Sequence, residues 1–93
     1  MLIQQKKTHN HEMFYVEEDG KILAQLVYKI TPENRMEIEH TEVNDSLQGK
    51  HVGLELMNHA VEFARTNNIK IVPLCSFARA MIKKHDEFGD VVA

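Results

Sequence analysis

Val43-Asn44-Asp45-Ser46-Leu47-Gln48-Gly49-Lys50-His51-Val52-Gly53-Leu54 is where the pattern of the chain changes. An apolar strand end is followed by the turn formers Asn44, Asp45 and Ser46, then by glycines at 49 and 53, and then by an amphipathic run. The order predicts a strand, a turn and the start of a helix. Four N–H groups in the first helical turn lack intrahelical partners, and the macrodipole adds roughly half a positive charge there. A phosphate suits such a place, and glycine lets it approach the backbone. For an isolated Gly-x-x-x-Gly, the commoner reading is a turn whose glycines only permit tight geometry.

Upstream, the apolar pattern has a period of two. Leu2 to Lys7 reads as a first strand and Glu12 to Glu17 as a second. Asp19-Gly20 between apolar runs predicts a tight hairpin into Ile22–Ile30, with Ala24, Leu26 and Tyr28 on one face and Leu23, Gln25 and Val27 on the other. Pro32 and Asn34 make the next reversal, and Met36 to Val43 returns as a fourth strand.

Downstream, the period becomes 3.6. Leu54, Leu56, Met57, Ala60, Val61, Phe63 and Ala64 form an apolar stripe that ends at Asn67-Asn68. Ile69 to Cys75 is a short apolar segment, so strand, helix, strand implies a right-handed crossover with parallel strands. Pro73 cannot donate to a ladder, and the fifth strand is expected to splay from the fourth there. Ser76 reads as the N-cap of a second helix over Phe77 to Lys84, and His85 to Ala93 shows little periodicity. The fold class is α/β, four antiparallel strands followed by a helix, a parallel strand and a second helix, in one domain over residues 1–93.

Fourteen acidic against 11 basic residues give a net charge of -3, which disfavours nucleic acid and anionic membranes as partners. The first residues are too soon charged for a signal peptide or a membrane span. One cysteine cannot form an intrachain disulfide and fits a reducing cytoplasm. His9, His11 and Glu12 lie in a turn with no second cluster at ligand spacing, so no metal is expected.

In sheets with parallel strands, ligands bind beyond the carboxyl ends. That crevice collects the Gln48–Gly53 loop, the end of the fourth strand and Cys75. A helix N-terminus, with Arg79 a turn further on, favours thiolate over thiol if the sulfur faces the cleft. A buried, inert cysteine is an equal alternative on spacing alone. His40 interrupts the apolar alternation of Met36 and Ile38, and a histidine near a cysteine acts as general base, although a hydrogen-bonded core histidine is commoner.

These residues resemble the GNAT superfamily of N-acetyltransferases. There a strand-four valine precedes an Arg/Gln-x-x-Gly-x-Gly/Ala loop that binds the pyrophosphate of acetyl-CoA. Val43 and Gln48-Gly49-Lys50-His51-Val52-Gly53 fit that frame, with His51 in place of the middle glycine. The chain is also similar to a small GNAT-like subfamily carrying His-Thr-x-Val, Pro-x-Cys-Ser-[Phe/Tyr]-Ala-Arg and Lys-His, here His40-Thr41-Glu42-Val43, Pro73 to Arg79 and Lys84-His85. The resemblance implies a truncated GNAT-like fold and acetyl-CoA bound by the strand backbone of Thr41, Glu42 and Val43, by Gln48, Gly49, Lys50, His51, Val52 and Gly53, and by Ser76 and Arg79. It puts Cys75 in the reactive position, and a nearby His40 is the residue expected to take and return its proton. Larger members use a tyrosine on the last helix as acid, where this chain has Met81 to Lys84. The expected function is a cytoplasmic N-acetyltransferase acting on an amine, through acetyl-Cys75 or by direct attack. The competing class is a non-catalytic acyl-CoA-binding or protein-interaction module.

Overall fold

The computed structural model describes residues 1–93. Strands β1 (Gln4–Lys7), β2 (Glu12–Glu18), β3 (Lys21–Ile30), β4 (Arg35–Val43) and β5 (Lys70–Pro73) form one sheet in chain order. Neighbours are antiparallel up to β4, and β4 and β5 are parallel. Helix α1 (Val52–Thr66) crosses from β4 to β5, and α2 (Ser76–Lys84) follows. Between β2 and β3, Glu18 pairs with Lys21, leaving Asp19 and Gly20 at φ 51° and 78°. Both turn residues are left-handed, the geometry whose twist matches the flanking strands.

The core lies under α1. Val52, Leu56, Met57, Ala60, Val61 and Ala64 are buried against Phe14, Leu26, Tyr28, Met36, Ile38 and Ile71. Phe14 stacks on Tyr28 at 5.4 Å between centroids and meets Phe63 edge-on at 6.0 Å. The Tyr28 hydroxyl accepts from Gln5 Nε2 (2.6 Å) and donates to Glu12 Oε1 (3.2 Å), so its polar end is satisfied inside the layer.

One irregularity decides the site. Tyr28 pairs with Ile38, but Val27 pairs with His40, so Glu39 is an extra residue in β4. A bulge of this kind shifts the alternation by one residue. Met36 and Ile38 are buried before it. After it, Thr41 and Val43 lie opposite the buried Leu26 and Ala24, while His40 and Glu42 face the other way.

Two local expectations are corrected. The cap of α2 is Cys75, not Ser76: Cys75 has the extended backbone of a capping residue, and its Sγ accepts from Ala78 N at 3.4 Å. The tail has regular structure, a 3-10 helix over Asp86–Val91 that buries Phe88 and Val91. Beyond it, Val92 lies beside Ile71 and Ala93 N donates to Ile71 O, so the free edge of β5 is covered. Arg65 holds this tail, with Nε and Nη2 on the Asp90 carboxylate (2.9 and 2.8 Å) and Nη2 on Glu87 O (2.6 Å).

Two pH limits follow. Burial pushes the Tyr28 phenol up to about 12 from 10.0. A neutral group whose folded pKa is raised stabilises below its unfolded value, so stability falls as pH rises from 10 to 12. Tyr28→Phe removes that slope in urea titrations at each pH. The guanidinium of Arg65 holds Asp90 below its ordinary 3.8, so this contribution is intact above that value and disappears as pH falls further. Asp90→Asn lowers the protection factor of the Ala93 amide at neutral pH and removes the further loss of protection that wild type shows in acid.

Candidate active site

The backbone pairing of β4 with β5 stops at Ile38 and Pro73. Beyond this point the Ile38 carbonyl accepts from both Leu74 N (3.0 Å) and Cys75 N (3.1 Å). Pro73 turns its backbone nitrogen to the outer edge, as Ile71 does, so the strands separate because Cys75 N folds back onto a carbonyl that Leu74 N already uses, and α2 starts in the opening. Cys75 is half-buried there as the free thiol. Its Sγ lies 3.6 Å from Thr41 Oγ1.

Thr41 also lines a cavity of about 400 Å³, together with Val43, Gln48, Gly49, His51 and Gly53; Cys75 lies behind Thr41 and is not part of the cavity wall. Phe77, Leu54 and Met81 supply its apolar wall. The loop is shaped by two left-handed residues, Gly49 at φ 78° and His51 at φ 58°. His51 caps α1 without a side-chain hydrogen bond, so the amides of Val52, Gly53 and Leu54 in the first turn are left for a ligand or water. Gln48 Nε2 donates to Val43 O (3.3 Å) and ties the loop to the strand end. The residues fit a nucleotide-linked thioester: amides at the first turn for phosphate, an apolar wall for the arm, and a thiol reached past Thr41. A second depression of about 330 Å³ between β3 and β4 is lined by Glu42 and Asp45, whose carboxylates repel a diphosphate.

The expected residues come together only in part. Thr41, Val43, Gln48, Gly49, His51 and Gly53 share the cavity. Lys50 is exposed on the loop, and Val52 is buried in the core, leaving only its amide for a ligand. Ser76 is exposed, and Arg79 Nη1 donates to Leu74 O at 2.6 Å instead of facing the loop. His40 is not brought to Cys75. The bulge at Glu39 turns it to the opposite face of β4, where its Nε2 lies 3.5 Å from Glu42 Oε2. Glu42 shares that face, so only its backbone can serve the cavity. His11, considered above for metal, lies 2.9 Å from Glu39.

Sequence reasoning missed the side chains nearest the sulfur. Thr41 was expected to act by its backbone, and its hydroxyl is the polar side-chain group beside Sγ. Phe77 lies two residues after Cys75, and its aromatic character in an otherwise short helix was the available signal.

Residues 13–91 match the family described as GCN5-related N-acetyl-transferase. The chain belongs to that family, and its fold and enzyme class are those of an acyltransferase that carries acetyl groups. Among solved structures it is similar to a GCN5-like N-acetyltransferase candidate from Staphylococcus aureus, at 38% identity over 97% of this chain and 87% of that one, with a TM-score of 0.77. An IAA acetyltransferase from Bacillus cereus ATCC 14579 is 26% identical over 81% of this chain and 53% of its own, with a TM-score of 0.62. A ribosomal-protein-alanine N-acetyltransferase from Brucella melitensis biovar Abortus 2308 shares the fold at 16% identity, covering 92% and 64% of the two chains with a TM-score of 0.64. Comparison with curated protein sequences yields no match. The truncated GNAT-like architecture expected above is the observed one.

The left-handed residues make opposite predictions for stability. Gly49→Ala places a side chain at φ 78° and lowers the urea midpoint by about 1 kcal/mol equivalent, whereas His51→Gly relieves strain and raises it by about 0.5 to 1 kcal/mol.

Proposed function

We propose that this chain binds acetyl-CoA in the 400 Å³ cavity and passes the acetyl group to an amine by way of Cys75. In this reading the diphosphate lies on the amides of Gly49 to Gly53, and the pantetheine arm follows the β4 backbone from Val43 to Thr41. The observation that carries it is continuity: Thr41, which lines the cavity at one end, also touches Cys75 Sγ, while the loop lines the other.

Cys75 Sγ attacks the thioester carbonyl, an S–C bond forms, the bond from carbonyl to CoA sulfur breaks, and the thiol proton passes to the departing thiolate. Exchange between two thioesters is nearly balanced in energy, so no strong activation is needed. Thr41 Oγ1 is the side-chain oxygen beside Sγ and takes the relay role that His40, on the other face, cannot fill. An amine then attacks acetyl-Cys75, forms the amide and returns the thiol. The acceptor's identity stays open in this reading.

Native mass spectrometry after incubation with acetyl-CoA tests both parts. Wild type gains one covalent acetyl group, and Cys75→Ser gains none while both carry non-covalent CoA; serine keeps an acceptor for Ala78 N. CoA bound without acetylation would favour direct attack by the amine or a binding module. Absence of any adduct would remove the loop assignment.

A further inference from the structure

Gly53 is not needed for a left-handed backbone, unlike Gly49. Its constraint is space: a Cβ there would stand 2.6 Å from Phe77 Cζ and 3.0 Å from Cε1. Real Cβ atoms are essentially never found under 3.0 Å, so the ring would have to move. Phe77 is in the first turn of α2, two residues beyond Cys75, and its ring forms part of the cavity wall.

Besides the buried Ala78, two contacts hold the start of α2 on the side of the site. One is the Ile38 carbonyl, which receives Leu74 N and Cys75 N. The other is the Phe77 ring against Gly53. The first contact fixes Sγ relative to β4, and the second fixes it relative to the loop. With the second removed, the first turn of α2 can shift against the loop within the play that the first contact and the buried Ala78 leave. A misplacement of about 1 Å costs as much as a hundredfold in rate when two groups must meet.

We propose that Phe77 is a positioning residue. By seating its ring on Gly53, it sets the distance between the loop and Cys75, so that the sulfur end of a CoA molecule held on the loop meets Sγ. This rests on the reading of the cavity as the acetyl-CoA site.

The test uses disulfide exchange and so does not depend on turnover. CoA activated as its 2-pyridyl disulfide reacts with Cys75, the single cysteine. Sγ bonds to the CoA sulfur, the S–S bond breaks, and pyridine-2-thione leaves with the electron pair and the thiol proton. The first-order rate is read at saturating reagent, so that affinity drops out. The 2-pyridyl disulfide of 2-mercaptoethanol serves as the small reference reagent.

In wild type, the CoA reagent outpaces the small one by about a hundredfold, expressed as effective molarity. Phe77→Leu lowers that advantage about tenfold or more and leaves the small-reagent rate within about threefold. Phe77→Tyr, which keeps the ring, retains it. Gly53→Ala loses it as well, and the double variant with Phe77→Leu is no worse than the worse single, because both break one contact. If Phe77→Leu fails to fold, the comparison of Gly53→Ala with Phe77→Tyr decides. An unchanged advantage in Phe77→Leu or Gly53→Ala overturns the proposal, and so does an equal fall with both reagents, which reports general disorder around Cys75. A wild type with no advantage removes the cavity reading itself and the proposal with it.

Discussion

The carbonyl of Ile38 is the point on which the site depends. It accepts two amides where a regular parallel ladder would give it one, because Leu74 N makes the ladder bond and Cys75 N then turns back onto the same oxygen. The next residue on β4, Glu39, is the bulge, so both strands leave regular geometry at the same level. One strand ends and the other shifts phase. The opening between them has a thiol on one side and, because of the shift, a threonine instead of a histidine on the other.

The opening is stable because the core beneath it is not interrupted. Met36, Ile38 and Ile71 are fully buried under α1, and the tail closes the outer edge of β5 through Ile71 and Ala93. Arg65 links that tail to the last turn of α1 with a fork of bonds to Asp90. These groups are exposed, so the pair acts less through its own energy than by keeping Phe88 and Val91 seated. The splay is thus bordered on both sides by elements anchored elsewhere.

Much of the fold was legible because it is written in patterns with a single reading. Asp19-Gly20 and the switch of period after Val43 each have one good structural solution, and both were met. The phase of β4 was not legible. Met36, Ile38, His40 and Glu42 look like a regular alternation that turns polar at its end, and no residue marks Glu39 as extra. Bulges are set by the partner strand and by what lies beyond them, neither of which local sequence contains. The cap of α2 failed for a different reason. Serine is the better capping residue by frequency, but the chain turns one residue earlier, since Cys75 N is already committed to Ile38 O. Phe88 and Val91 were too few to show a period, and their burial becomes visible only with the strand they cover.

The loop shows why a motif written in glycines can tolerate one substitution and not another. Three of its positions carry different demands. Position 49 needs a positive φ, and a glycine meets it without strain. Position 51 needs the same conformation, but its side chain points away from the closely packed core and remains exposed, so histidine is admitted at the cost of backbone strain alone. Position 53 has no need of a positive φ, yet has no room for a methyl group beside Phe77. A conformational demand is met by the residue itself at a modest energetic cost, whereas a steric one falls on its neighbour and moves the Phe77 ring. The departure at His51 therefore leaves the geometry of the site in place, because it falls where the constraint is soft.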